Sequence, residues 1–426
     1  MRILWFCNMP LPEASSLMNE EPLPYGGWMT SLVSVLREND DIDLHIAFPF
    51  YKTVISGFDV FQGDNVRYYP FKITKKCRNN FLFSKTKSPI KDIIHCVEPD
   101  IIHIFGTEAS YIGEIMDNFN AYRIILHLQG ITSIIEHHYT LLLPDAIKRK
   151  KTLRDFLRND SIVKQQKAFR KQGVLERELL QRLHFVIGRT VFDHACVFQI
   201  NPYIQYFKNN ESLRESFYHT RWDIRQCKPK TIFMSQGYYP IKGLHSMLEA
   251  LRIIKVFYPE VCLQVAGINV IRQDTILDGM RLSSYGFYIR SLITKYDLSN
   301  NIVFTGELNE QAMSERMSKA HVFVCPSSIE NSPNSLGEAM MLGVPCVASF
   351  VGGIPDLLTH NSEGFLYPAD APYMLANYIM EIFKDDELAI RFSNNSQKRA
   401  KETHDKIKNA QNLLNIYKYM LEAKNP

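Results

Sequence analysis

Between His321 and Ser349 the chain runs through an arrangement that few folds accommodate. The unbroken apolar run His321-Val-Phe-Val-Cys325 reads as a strand covered on both faces, as in a parallel sheet. A Pro326-Ser327-Ser328 loop follows, then Glu330, a polar turn through Pro333, Asn334 and Ser335, and Glu338. The pattern predicts an apolar helix over Leu336 to Leu342, with Glu338 in its first turn, Gly343 as its stop, and a strand from Pro345 to Ser349. A helix start of this kind presents N–H groups that lack intrahelical acceptors, at the positive end of the dipole, and so attracts phosphates. Carboxylates flank it on both sides and can accept hydrogen bonds from sugar hydroxyls. A ligand with phosphate at its centre and polyol at both ends, such as a nucleotide-sugar, matches both features. A plain helix start, with one glutamate against the dipole and the other solvated, is the alternative these residues leave open.

The rest of the chain repeats strand and helix. Apolar strands are predicted at Arg2–Asn8, Leu44–Phe48, Asp100–Phe105, Tyr122–Leu128 and Phe185–Gly188, then at Thr231–Ser235, Val261–Ala266, Asn301–Thr305 and Gly364–Tyr367, with helical patterns between them. The fold class is therefore α/β with parallel sheets, whose ligands bind beyond the carboxyl ends of the strands. Tyr25-Gly26-Gly27 precedes a predicted helix and is at least a helix-start turn; glycine there lets a backbone approach a phosphate. It lacks the Gly-x-Gly-x-x-Gly pattern of dinucleotide sites. His127 and His103 both end strands, and His103 reads as structural. Lys242 precedes the helix Leu244–Phe257, where a cation opposes the dipole unless an anion accompanies it.

At 426 residues two domains are expected. No apolar run reaches eighteen residues, and the N-terminus reads as a first strand rather than a signal segment. The eight cysteines form no Cys-x-x-Cys, which favours reduced thiols in a cytoplasmic protein. The formal charge of +4 is too small to indicate nucleic acid. Basic residues do gather between Asp145 and Arg182, with apolar residues at roughly helical spacing beside them. Such a segment either lies on an anionic membrane surface, each basic residue contributing about 1 kcal/mol, or forms a solvated face.

The pair Glu330 and Glu338, with Pro326-Ser327 before it and Gly343-Val-Pro and Gly352-Gly353 after it, resembles the Glu-x7-Glu motif of the GT4 family of retaining glycosyltransferases. The resemblance implies the GT-B fold: two Rossmann-like domains with parallel sheets facing a central cleft, and a last helix crossing back to the first domain. Domains of 1–205 and 206–403 are expected, with a linker about 201–229 and a C-terminal helix from 404–426. It further implies a catalytic centre of Glu330, His127 and Lys242, and donor binding by Gly26, Gly27, Lys242, Glu330, Pro333, Asn334, Ser335 and Glu338. The family pairs its Lys-Gly with an arginine five or six residues earlier; here those positions are Gln236 and Gly237.

The implied reaction moves a sugar, with retention, from a nucleoside-diphosphate sugar (UDP favoured) to a glycan or lipid-linked acceptor in surface polysaccharide biosynthesis. Neither metal nor cofactor is expected, because Asp41-Ile-Asp43 reads as a turn and no other Asp-x-Asp ends a strand. The expected location is cytoplasmic, peripheral at the inner face of the membrane. A nucleotide-sugar epimerase or phosphorylase on the same architecture, and a non-enzymatic two-lobed sugar-binding protein, are the competing readings.

Overall fold

The computed structural model describes residues 1–23, 26–50, 57–72, 89–109, 111–119, 121–271 and 282–423, which fall into two compact units. The first comprises Met1–Ser133, Gln172–Arg214 and His404–Pro426. Its strands are β1 (Arg2–Phe6), β2 (Asp43–Pro49), β3 (Phe61–Gln62), β4 (Val66–Phe71), β5 (Ile101–Phe105), β6 (Arg123–His127), β7 (Phe185–Gly188) and β8 (Gln205–Lys208). They form one sheet in the order β3-β4-β2-β1-β5-β6-β7-β8, parallel except for the β3/β4 pair.

The continuous apolar runs are explained by this sheet, because alternate residues feed two cores. Ile3 and Trp5 join the cluster that takes Leu32 and Leu36 from the helix Gly27–Leu36 and Leu413 and Tyr417 from the helix Lys406–Glu422. Leu4 and Phe6 join the opposite cluster, with Ile93 and Ile94 of the helix Pro89–Val97. Full burial of side chains of this size contributes roughly 1.5–3 kcal/mol each. A hydrogen-bond chain ties the last helix to the sheet: the Trp5 indole donates to the Tyr417 oxygen at 2.9 Å, leaving the phenolic proton for His103 Nδ1 at 2.6 Å. Burial lowers the His103 pKa to about 3, so His103 is a neutral structural group.

The stretch expected as a linker, 201–229, is not free of structure. It contains β8, which pairs with β7 at the sheet edge, and the helix Ser216–His219. The mixed exposure of β8, with Gln205 and Lys208 outward, hid the strand from the hydrophobic pattern.

The second unit comprises Ile134–Lys171 and Glu215–Thr403. Strands β9 (Thr231–Met234), β10 (Cys262–Ala266), β11 (Ile302–Gly306), β12 (Val322–Cys325), β13 (Cys346–Ser349) and β14 (Gly364–Tyr367) form a parallel sheet in the order β11-β10-β9-β12-β13-β14. The strand order reverses between β9 and β12, and a crevice at the carboxyl ends of such a pair is the usual ligand position in an open α/β sheet.

Residues 134–171 group with this second unit, not with the first as the sequence suggested. The cause is a buried carboxylate. Asp155 accepts hydrogen bonds from the Ser284 N–H (2.9 Å) and hydroxyl, while it closes a capping box with Thr152, whose own hydroxyl donates to the Leu282 carbonyl at 2.7 Å. A basic amphipathic pattern carries no signal of such a partner 129 residues away. Within the basic segment 145–182 the apolar residues divide, with Ile162, Leu179 and Leu180 buried. Leu153, Phe156 and Leu157 remain exposed, at 58%, 77% and 73%.

Candidate active site

The loops after β9 and β12 meet at the reversal point of the second sheet. After β9 the chain turns through Pro240–Lys242 and reaches Gly243, whose φ of +71° is left-handed. A Cβ at Gly243 would also stand 1.8 Å from the Pro326 carbonyl oxygen, so the loop after β12 can approach only because residue 243 has no side chain. The Ser328 N–H then bonds to the Ile241 carbonyl at 2.8 Å and locks the two loops together.

That contact brings Lys242 to Glu330. Lys242 Nζ donates to Glu330 Oε1 at 2.6 Å, and the Ser327 hydroxyl donates to the same oxygen at 2.7 Å. Burial works against the Lys242 ammonium, but Glu330 outweighs it and holds the lysine pKa above its ordinary value. Glu330 is thus an anion that accompanies Lys242 in the structure. From behind, the Glu330 carbonyl accepts the Gly353 N–H at 3.0 Å. Gly352, at φ +51°, allows that turn; a Cβ there would lie 1.9 Å from the Glu330 carbonyl oxygen.

The helix after Glu330 runs from Asn334 to Leu342 with Pro333 as its N-cap and Gly343 as a left-handed stop. The N-cap residue contributes no side-chain hydrogen bond, so an acceptor for the first turn can come from a ligand. The helix starts two residues before the apolar pattern does, because Asn334 and Ser335 form the polar first turn. Glu338 therefore stands in the second turn, not the first, and is 4% exposed. At Gly237, one of the two positions of the family's arginine, a Cβ would lie 2.9 Å from Leu244 Cδ2 and Val265 Cγ1, so a side chain there would displace both methyls.

Gly26, Gly27 and His127 lie in the other unit. Gly26, at φ +82°, caps the helix Gly27–Leu36. His127 ends β6, is 1% exposed, and has no hydrogen-bond partner at either ring nitrogen among the described residues. Its Nε2 is 3.7 Å from Glu211 Oε1, and its ring lies parallel to that of His103 at 5.6 Å. Burial, then the repulsion it would meet from Arg189 and from any proton on His103, hold its pKa well below the usual histidine value, so the imidazole is neutral. Glu211 also accepts from Arg189 Nη1 at 2.7 Å and from Gln129 Nε2 at 2.8 Å. Glu211 and Arg189 escaped the sequence reading, and Ser327 entered it only as motif context, not as a donor to Glu330. Arg189 directly after a strand-ending Gly188 was the one available hint.

Comparison with known proteins finds a family match and relatives that are glycosyltransferases. Residues 220–399 match the family described as Glycosyl transferases group 1, a span that covers the Lys242, Glu330 and Glu338 positions. The putative colanic acid biosynthesis glycosyltransferase WcaL of Salmonella typhimurium is 28% identical over 151 residues, 34% of each chain. The chain spans between about a third and a half of the length of the curated relatives it matches first. Among solved structures, sucrose-phosphate synthase from Thermosynechococcus elongatus superposes with a TM-score of 0.72 at 15% identity, covering 99% of this chain and 100% of that one. Anabaena HepE in complex with UDP-glucose does so with 0.66 at 17% identity, covering 98% and 100%. The fold is GT-B, two Rossmann-like units each built on a parallel sheet. Residues 220–399 are thus similar to the group 1 glycosyl transferases.

Proposed function

We propose that the chain is a retaining, metal-independent glycosyltransferase that moves a sugar from a UDP-sugar to a glycan or lipid-linked acceptor in surface polysaccharide biosynthesis. The observation that carries this reading is the Lys242–Glu330–Ser327 cluster at the reversal point of the second sheet, beside a helix start with no side-chain cap. On donor binding, Lys242 shifts from Glu330 to the diphosphate and Glu330 turns to the donor sugar's hydroxyls, where it favours positive charge developing at the anomeric carbon. Glu338 holds the ribose hydroxyls. The N–H groups around Asn334 and Ser335 stabilise the leaving diphosphate; such preorganised donors are often the largest catalytic term. The acceptor oxygen attacks the anomeric carbon on the face the diphosphate leaves, and a phosphate oxygen takes the acceptor's proton.

UDP is favoured as the nucleotide because UDP-glucose is the ligand in the HepE complex, and polysaccharide biosynthesis because WcaL is named for it. No helix among the described residues is long and apolar enough to cross a membrane. Peripheral association at the inner face is supported by the exposed Leu153, Phe156 and Leu157 beside Lys148, Arg149, Lys150 and Lys151. The test is incubation with a panel of UDP-sugars and glycan acceptors, with NMR of the product. Transfer with the donor's anomeric configuration supports the reading; an inverted product, or epimerisation of the donor alone, refutes it.

A further inference from the structure

Behind the Lys242 turn, within the second unit, lies a cavity of about 630 Å³. Its walls come from the 134–171 segment, from Tyr238–Ile241 and from Ser283–Tyr285. The size falls within the roughly 300–1,000 Å³ typical of small-molecule sites. Tyr139, Ile162, Ile241 and Tyr285 line it and are themselves buried, while Ala168 and Tyr238 stand exposed at its edge.

What the cavity offers a ligand follows from how its polar groups are used. The Tyr139 hydroxyl donates to Gln165, and the Tyr285 hydroxyl bonds to His245 Nδ1 at 3.2 Å. Asp155 is taken by Ser284, and Arg154 bridges Asp155 at 3.1 Å and Asp160 at 2.8 Å. These bonds hold the walls together and leave ring faces and aliphatic surface towards the void. A sugar or a phosphate in the cavity would replace few of its hydrogen bonds to water, from the Tyr238 and Tyr239 hydroxyls and the Arg154 guanidinium, whereas a hydrocarbon or aromatic group would lose nothing. One wall, Tyr239-Pro240-Ile241, continues in sequence into Lys242, so the cavity adjoins the turn that carries the Lys242–Glu330 pair.

We infer that this cavity binds the apolar portion of the acceptor, a hydrocarbon or aromatic aglycone, and presents its polar end at the Lys242 turn. The inference rests on the proposed transferase reading for the word acceptor, but the apolar site itself can be measured without turnover. The experiment titrates the neutral fluorophore N-phenyl-1-naphthylamine into the full chain. Saturable binding at one site is expected, displaced by dodecyl β-glucoside and not by methyl β-glucoside. Ala168→Trp, and Ile135→Trp as a second filling variant, should weaken probe binding at least tenfold, while Phe156→Ser on the exposed face should change it less than twofold. Absence of probe binding, unchanged binding in both filling variants, or loss in Phe156→Ser overturns the inference. UDP-induced thermal shifts measured on the same samples report folding and the donor site separately. If UDP shifts the protein but the probe does not bind, the cavity assignment alone fails; probe binding without any UDP shift refutes the donor reading instead.

Discussion

Lys242→Met should destabilise the second unit, and the structure sets the scale. The Lys242–Glu330 pair is 21% and 13% exposed, between a surface pair and a buried one. Exposed pairs contribute about 0–1 kcal/mol, and removing one partner of a fully buried pair costs about 3–5 kcal/mol. A cost of about 2 kcal/mol is therefore expected, most of it from Glu330 left with Ser327 as its remaining donor in this cluster. At about 2–4 °C per kcal/mol this corresponds to a Tm lower by roughly 4–8 °C. Lys242→Met/Glu330→Gln should recover most of the loss, because the amide removes the uncompensated charge. Differential scanning calorimetry of the wild type, both single variants and the double variant completes the cycle. A single variant within about 0.5 kcal/mol of wild type, the usual range for surface changes, would refute the coupling, as would a double variant no more stable than the single.

Three further outcomes are expected. Gly352→Ala should cut transfer rates at least tenfold, because a Cβ 1.9 Å from the Glu330 carbonyl must move that residue; rates equal to wild type would show that the turn does not position Glu330. Acid should weaken the fold, since His404, His245 and His321 have pKa values lowered to about 4 by burial. Their unfolded counterparts bind protons below about pH 6.5, so each opposes folding by about 1 kcal/mol at pH 5.5 and nothing at pH 8; urea midpoints equal at those two pH values would contradict it. The Lys242–Glu330 contribution has the opposite sense. With the lysine pKa raised, it is fully present below about pH 10 and is lost only above that, so the penalty of Lys242→Met should be the same at pH 7 and pH 9.

Much of this architecture was visible in the residues because parallel sheets demand apolar runs on both faces. Ile3 to Phe6 serve two cores at once, and no amphipathic alternative suits them. The helix ending at Gly343 was legible apart from its polar first turn at Asn334 and Ser335, and so were the glycine turns, since local backbone geometry leaves local signatures. Contacts across long sequence separations were not. Lys242 and Glu330 are 88 residues apart, and a lysine at a helix start announces only that some anion is near, not which one. Asp155 looked like one acid in a basic stretch until Ser284 gave it a buried partner. Glu211 lies where the apolar period fades, and its ties to Arg189 and Gln129 depend on strand order alone.

The central claim is a UDP-sugar site in the second unit, read most directly by isothermal titration of UDP into the wild type and Glu338→Ala. The account predicts saturable one-site binding by the wild type and affinity at least tenfold weaker in the variant, with its Tm otherwise preserved. No heat with the wild type, or equal affinity in the folded variant, would contradict it.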